Sequence, residues 1–352
     1  MPEQRDSSPH AFPIYSPTGV EITIPIEVDW TSDPYLRLTR PAGIKQYYEQ
    51  HGYVVVRKLI PPRLCDVARE AFVQEVKPFD GFLYRQTTAN PEKHQFNEHG
   101  FVLNAILNLQ DLNRAHFPRF RAAGLAVITH AGLHDVANAL LGEEGVVVQS
   151  MYFEGNPVTP AHQDTYYLDS VDVGRMVAAW IALEDIRPGA GRFFVYPGSH
   201  LLDMQKNGGD VGIAFQHERY KRLVRDIIAH QQLECQAPAM SKGDVLFSSS
   251  KTIHGSLSTT QEGYSRTSLT THIIPRSKGL LQFQSREKPL RLQEINGIPV
   301  HCPKDQNRLL NRAILFVETS FPGIFQVTKK MAIKLMTHRV PAAVDAGFDG
   351  RA

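Results

Sequence analysis

With 352 residues, a formal net charge of +2, 42% hydrophobic and 21% charged residues, the chain has the make-up of an ordinary globule and the length to bury a full core. That composition excludes a wholly disordered chain, and no stretch reaches the ~18 consecutive apolar residues of a membrane-spanning helix. The three cysteines, Cys65, Cys235 and Cys302, are widely spaced, odd in number and without metal-site spacing. They suit a reducing cytoplasm, and the first ten residues lack the basic-then-apolar pattern of a secretory signal.

Residues 1–35 are rich in Ser, Pro and Thr and are expected to wrap the surface or fray. The stretch 41–50 reads as a short helix, with Pro41 in its first turn and Gly52 to stop it. A strand over 53–59 follows. Pro61 and Pro62 then open a second helix whose apolar positions Leu64, Val67, Ala68, Ala71 and Phe72 share one face, as on a helix packed outside a barrel. Residues 78–98 are irregular, with Phe79, Phe82, Tyr84, Arg85 and His94, and fit either a surface loop or a substrate-facing flap. Helical patterns are expected from 101 to 141, ending at Gly142, and 146–153 reads as a strong strand.

Between 201 and 235 the strand pattern is interrupted by Asn207-Gly208-Gly209-Asp210 and by a basic helix over 218–230. Such an insertion either covers a site, with its glycines as a hinge, or shows the charged face of a structural helix. Lys242-Gly243-Asp244 is a turn signal before the apolar run Val245-Leu246-Phe247, and 266–274 alternates as another strand. From 276 to 340 positive charges outnumber negative ones by eight, and the apolar runs 313–317 and 321–325 precede Lys329, Lys330 and Lys334. A basic amphipathic helix there can approach an anionic membrane or an anionic substrate, or it can pack on the barrel with its lysines in water. No nucleic-acid partner is expected, because there is no binding motif or aromatic-basic interleaving. No internal repeat appears, which excludes solenoids and propellers.

The chemistry is concentrated in His162-Gln163-Asp164, in His254 90 residues after Asp164, and in Arg266 twelve residues further on. Two imidazoles and one carboxylate hold a non-haem Fe(II) on one face and leave open positions for a co-substrate and O2. In an extended strand, residues two apart share a face, so His162 and Asp164 reach one metal while Gln163 turns away. His254 must come from a neighbouring strand, and Arg266 is placed to anchor the far carboxylate of a 2-oxo acid by a bidentate pair.

Several stretches carry a resemblance: 52–61, 162–167, 180–186, Tyr196 to His200, 242–247 and His254 to Ser256. Over roughly residues 40–275 the chain resembles the phytanoyl-CoA dioxygenase family of Fe(II)/2-oxoglutarate oxygenases. The resemblance implies a mainly β fold with flanking helices around a double-stranded β-helix, the cupin-like jelly roll, with iron near one open end. It implies iron ligation by His162, Asp164 and His254, 2-oxoglutarate binding by Arg266 and Ser256, Trp180 beside the co-substrate, and contact from Gln149. Tyr166 and Tyr167 are expected at the mouth of the site or in barrel packing. Arg192 stands where relatives carry an apolar residue, and fits an anionic substrate or a structural ion pair equally.

The expected organisation is an arm over 1–35, an oxygenase domain over 36–275 with the insertion at about 201–235, and a basic extension over 276–352 on or beside the barrel. The expected activity is hydroxylation of an unactivated C–H bond in a small molecule, with release of succinate and CO2. Related halogenases carry Gly or Ala where this chain has Asp164, so a carboxylate here fills the halide position. Desaturation, epoxidation or ring rearrangement needs the same ligands. A non-catalytic jelly-roll binding protein and a metal-dependent cupin enzyme without 2-oxoglutarate are the readings of other classes. The substrate is expected among secondary metabolites, lipid or glycolipid sugars and acidic metabolites, with peripheral membrane contact through the basic extension.

Overall fold

The computed structural model of the protein describes residues 11–210, 213, 216–323 and 325. The chain opens on a hairpin of β1 (Ala11–Tyr15) and β2 (Glu21–Pro25), whose alternation buries Ile14 and Ile24. The fully buried Arg192 donates to the carbonyls of Pro25 and Ile26, so from residue 11 the arm is pinned down. Arg192 is therefore a carbonyl clamp, with no ion pair among the described residues. Helix α1 (Pro41–His51) stops at Gly52, whose φ of +78° gives the left-handed cap, and β3 (Tyr53–Val56) follows. Helix α2 (Pro62–Ala71) runs on through a π-turn at Phe72–Val76. The irregular stretch holds a small hairpin of β4 (Leu83–Tyr84) and β5 (Pro91–Glu92), tied down by Arg85, which is fully buried and donates to the carbonyls of Glu92 and Asn104.

The long helical run expected from 101 is corrected by the structure. Strand β6 (Ile106–Leu107) and a 3-10 turn come first, and helix begins only with α3 (Pro118–Ile128) and α4 (Ala131–Leu141). Side chains compete for the backbone there: Asn104 bonds Gln95 N–H and the Lys93 carbonyl, Ser150 Oγ takes Leu109 N–H, and Asn108 sits at φ +59°.

Next come β7 (Gly145–Phe153), β8 (Leu168–Ser170), β9 (Val177–Ala182), β10 (Phe193–Val195) and α5 (His217–His230). They are followed by β11 (Val245–Ser249), β12 (His254–Ser256), β13 (Ser268–Pro275), β14 (Leu280–Gln282), β15 (Arg286–Lys288), β16 (Leu292–Ile295), β17 (Ile298–His301) and α6 (Leu309–Ser320).

The main sheet runs β16-β17-β7-β13-β9-β11-β3, with β6 also on β7; among the described strands only the β17–β7 pairing is parallel. A second layer is built from β10–β12 and β15–β14–β8, which completes the jelly roll. On one face of the main sheet Val54, Val177, Ala179, Ile181, Phe247 and Leu269 are buried in the same core as residues of α1 to α4. The residues between them, among them Tyr53, Val55, Trp180 and Leu246, face the barrel interior. Helix α5 adds Tyr220, Val224, Ile227 and Ile228 to an apolar cluster shared with Ile14, Tyr166 and Phe194.

The division expected at residue 275 falls elsewhere. One compact unit extends to Asp305, because β14 to β17 belong to the sheets and Val300 and Cys302 are buried in the main core. The second unit, Gln306–Ala352, contains α6, while Lys329, Lys330 and Lys334 lie outside the described residues.

One buried ion-pair system ties the first unit together. Arg57 bonds Asp33 through two nitrogens at 2.8 and 2.9 Å and Asp244 at 2.6 Å, and the Asp244 side chain has no exposed surface. Arg57→Ala leaves that carboxylate buried without its cation, so urea unfolding is expected to show a loss of about 3–5 kcal/mol. A loss below about 1 kcal/mol contradicts this assignment.

Candidate metal centre

The two ligand-bearing segments are paired through their backbones. His162 N–H donates to the His254 carbonyl and His254 N–H to the His162 carbonyl, both at 2.9 Å, a single antiparallel bridge that prolongs β12. His162 is thus a bridge residue rather than part of a regular strand, and Asp164 starts a 3-10 turn. Gln163 turns away as alternation requires, and its side-chain amide donates to the Lys251 carbonyl.

The three donors converge: Asp164 Oδ1 lies 3.6 Å from His162 Nε2 and 3.5 Å from His254 Nε2. Neighbouring donors at ~2.1 Å from one ion stand about 3 Å apart, so a small inward movement closes the shell. The remaining ring nitrogens fix the tautomers. His162 Nδ1 is 2.8 Å from the Pro160 carbonyl and His254 Nδ1 is 2.9 Å from the Thr252 carbonyl. A carbonyl only accepts, so in each neutral ring Nδ1 carries the proton and Nε2 presents its lone pair to a metal. Burial disfavours the charged Asp164 carboxylate. The charge that the neighbouring His254 and His272 rings carry when protonated, and the hydrogen bonds that His162 and His254 then donate through Nε2, outweigh that and hold it well below the usual carboxylate range. Such a donor set suits a divalent transition metal.

Arg266 lies two residues before β13, in line with its inward-facing positions, and is 4% exposed. It donates to the Gly191 carbonyl through Nη1 and to the Pro157 carbonyl at 3.2 Å through Nη2, while Nε has no partner among the described residues. Burial alone pushes the guanidinium down to about 10, with no acidic group offsetting it. Gly191 stands at φ +72°, and a Cβ there would meet the Leu257 carbonyl at 3.0 Å, so this close approach needs glycine. Ser256 reaches the same Pro157 carbonyl at 3.3 Å, which puts its hydroxyl beside Arg266. A buried cation with an orphan donor and a neighbouring hydroxyl fits the far carboxylate of a 2-oxo acid.

Trp180 is buried on the interior face, and Gln149 lies on that face opposite His272. Phe193, which the sequence reading passed over, stacks on His254 at 5.3 Å and contacts Trp180 at 5.5 Å, forming an apolar wall. His272 was also passed over. Its Nε2 is 3.3 Å from Asp164 Oδ2, the oxygen turned away from the two ligating imidazoles, and its Nδ1 is buried without a partner among the described residues. The signal was available, since 266, 268, 270 and 272 alternate onto one face. The two tyrosines separate: Tyr167 packs its ring edge-on to His162 at 5.6 Å, with its hydroxyl 3.4 Å from His217 Nδ1. Tyr166 is buried among the apolar residues of α5 and the arm, and its hydroxyl donates to the Ile213 carbonyl.

Fold and donors together define a jelly-roll protein with a two-histidine, one-carboxylate metal site. Residues 48–268 match the family model of phytanoyl-CoA dioxygenase, and the chain belongs to that family. It is 26% identical over 191 residues to phytanoyl-CoA dioxygenase domain-containing protein 1 of Danio rerio, a match covering 44% of this chain and 64% of that protein. It is 25% identical over 274 residues to the peroxisomal phytanoyl-CoA dioxygenase of Homo sapiens, covering 72% and 74% of the two. Among solved structures, EctD from S. alaskensis with 2-oxoglutarate and 5-hydroxyectoine superposes with a TM-score of 0.49 at 20% identity, covering 82% of this chain and 92% of that one.

The donor set predicts that a divalent metal raises the unfolding midpoint, by the equivalent of about 2.7 kcal/mol when present at 100 times its Kd. His254→Ala is expected to abolish this shift in calorimetry. A shift that survives the substitution moves the site elsewhere.

Proposed function

We propose that the chain is an Fe(II)- and 2-oxoglutarate-dependent dioxygenase that hydroxylates an unactivated C–H bond of a small molecule. One juxtaposition carries the reading: two imidazoles held in their ligating tautomers around the Asp164 carboxylate, and in the same barrel a buried guanidinium with no carboxylate partner among the described residues. His162, Asp164 and His254 hold the iron, and Arg266 and Ser256 take the far carboxylate of the 2-oxo acid. When bound, iron and 2-oxoglutarate supply the oxidation, with O2 consumed, CO2 and succinate released and one oxygen atom placed in the substrate. Trp180 and Phe193 keep water from that side of the pocket, and Gln149 contacts the co-substrate from β7. The protein's part is placement, since about 1 Å of misalignment of the reacting C–H can cost ~100-fold in rate.

Asp164 occupies the position a halide would need, which favours hydroxylation; desaturation, epoxidation and ring rearrangement share the same ligands. Tyr167 faces the substrate in this reading, because its ring lies between His162 and Phe283, and Tyr166 backs it from the apolar cluster. The substrate is a secondary metabolite, a lipid or glycolipid sugar or an acidic metabolite, met in a cytoplasm that supplies Fe(II) and 2-oxoglutarate. No helix among the described residues is long and apolar enough to cross a membrane. Peripheral contact with an anionic surface is part of the proposal, supported by the exposed Leu309, Leu310 and Phe316 of α6 and by the basic residues that follow.

Two experiments test the reading. Succinate formation from 2-oxoglutarate is expected to require Fe(II) and O2, and Arg266→Ala is expected to raise the apparent KM for 2-oxoglutarate on the order of 10- to 100-fold, the worth of charge-assisted hydrogen bonds. An unchanged KM removes Arg266 from the site. Vesicles containing acidic lipid are expected to retain the protein better than neutral ones, with the difference lost in 1 M salt, where charges are screened within about 3 Å. Equal retention on both vesicle types ends the membrane proposal and leaves the oxygenase proposal standing.

A further inference from the structure

The insertion, expected either to cover the site or to form a structural helix, reaches the residue between two metal ligands through Tyr220. Tyr220, on the first turns of α5, is 3% exposed, and its hydroxyl stands against the peptide groups of Gln163. Gln163 N–H donates to Tyr220 Oη at 2.7 Å, and Tyr220 Oη lies 3.3 Å from the Gln163 carbonyl, to which it donates. The Tyr220 ring stacks on Tyr166 at 3.7 Å with planes 10° apart, so packing on the residue two beyond Asp164 fixes the hydroxyl in place. Gln163 is the single residue between the ligands His162 and Asp164; its N–H is taken up by the phenol, and its carbonyl is shared between the phenol and Tyr166 N–H at 3.3 Å.

We infer that Tyr220 is a positioning residue for the metal centre, setting the spacing of His162 and Asp164 by clamping the residue between them. The inference rests on the iron reading. Without the hydroxyl, Gln163 N–H loses its partner, and the peptide planes on either side keep only the His254 N–H bond to the His162 carbonyl and the longer Tyr166 N–H bond to the Gln163 carbonyl. Those planes carry the two ligands, so the geometry of the donor set changes even though no ligand is removed. The physical analogy is with groups that orient ligating side chains, whose loss typically weakens metal affinity or activity by about 10- to 100-fold. The insertion is then a brace for the centre, whatever else its loop contributes.

The test uses the full chain and Co(II), whose visible ligand-field bands report coordination geometry without turnover. Tyr220→Phe keeps the stacked ring and removes the hydroxyl; it is expected to raise the Kd for Co(II) by about 10- to 100-fold and to alter the bands. Val224→Ala, one turn along α5 and fully buried in the same apolar cluster, loosens the helix without touching the hydroxyl and is expected to bind Co(II) as the wild type does. Wild-type affinity and spectrum in Tyr220→Phe overturn the inference. So does an equal loss in Val224→Ala, which assigns the effect to helix packing. If Tyr220→Phe does not fold, amide exchange in the metal-free wild-type protein decides: a protected Gln163 N–H supports the clamp and a rapidly exchanging one overturns it. A wild-type protein that binds no Co(II) sinks the iron reading itself, an outcome distinct from all of these.

Discussion

The pair of backbone hydrogen bonds between His162 and His254 is the constraint on which the rest of the site depends. Residues far apart in sequence become neighbours through one antiparallel bridge, and each contributes its imidazole from the same join. The bridge fixes the distance between the two Cα atoms, and Asp164 enters two residues later through the turn that begins there. Because the bond is between main chains, it does not depend on the ligand side chains, proline excepted. A ligand substitution is therefore expected to empty the centre without unfolding the segments that carried it.

Support for this join comes from several directions. Gln163 binds Lys251 through its amide and Tyr220 through its backbone, while Asp169 accepts Ser250 Oγ and the N–H groups of Ser170, Gly174 and Met176. Thr165 N–H bonds the Ser250 carbonyl, adding another link between the two segments. Each link satisfies a buried polar group that would otherwise cost about 1–3 kcal/mol, so holding the metal loop and satisfying the interior are the same task.

The buried arginines show how one residue type divides between architecture and chemistry. Arg85, Arg192 and Arg266 are all pushed down to about 10 by burial, and all donate to main-chain carbonyls. Arg85 binds a hairpin and Arg192 binds the N-terminal arm, each spanning chain segments that need joining. Arg266 shares its carbonyl contact with Ser256, beside the strand that carries His254. Surroundings separate these roles where residue identity does not.

Much of this was legible in the residues alone. The His162/Asp164 pair, the Gly-Asp turn, the early helices and the strand over 146–153, found at Gly145–Phe153, follow from local rules: alternation, capping and turn chemistry act within a few residues and leave a pattern in sequence. The role of His254, 90 residues on, is instead implied by the family resemblance. Other features depend on partners distant in the chain. Asn104, Asn108 and Ser150 drew the chain before α3 out of helix, Arg192 became a clamp on the arm, and β14 to β17 joined sheets that charge counting had set apart. His272 and Tyr220 belong to the same group, since a histidine on a strand and a tyrosine on a helix are ordinary until the fold sets one against Asp164 and the other against Gln163. The sequence by itself determined which side chains could ligate a metal, because ligand chemistry is a property of residue type and local spacing. Only the tertiary structure decided which groups orient those ligands, because a hydrogen bond across 57 or 108 residues depends on a distance that no local pattern encodes.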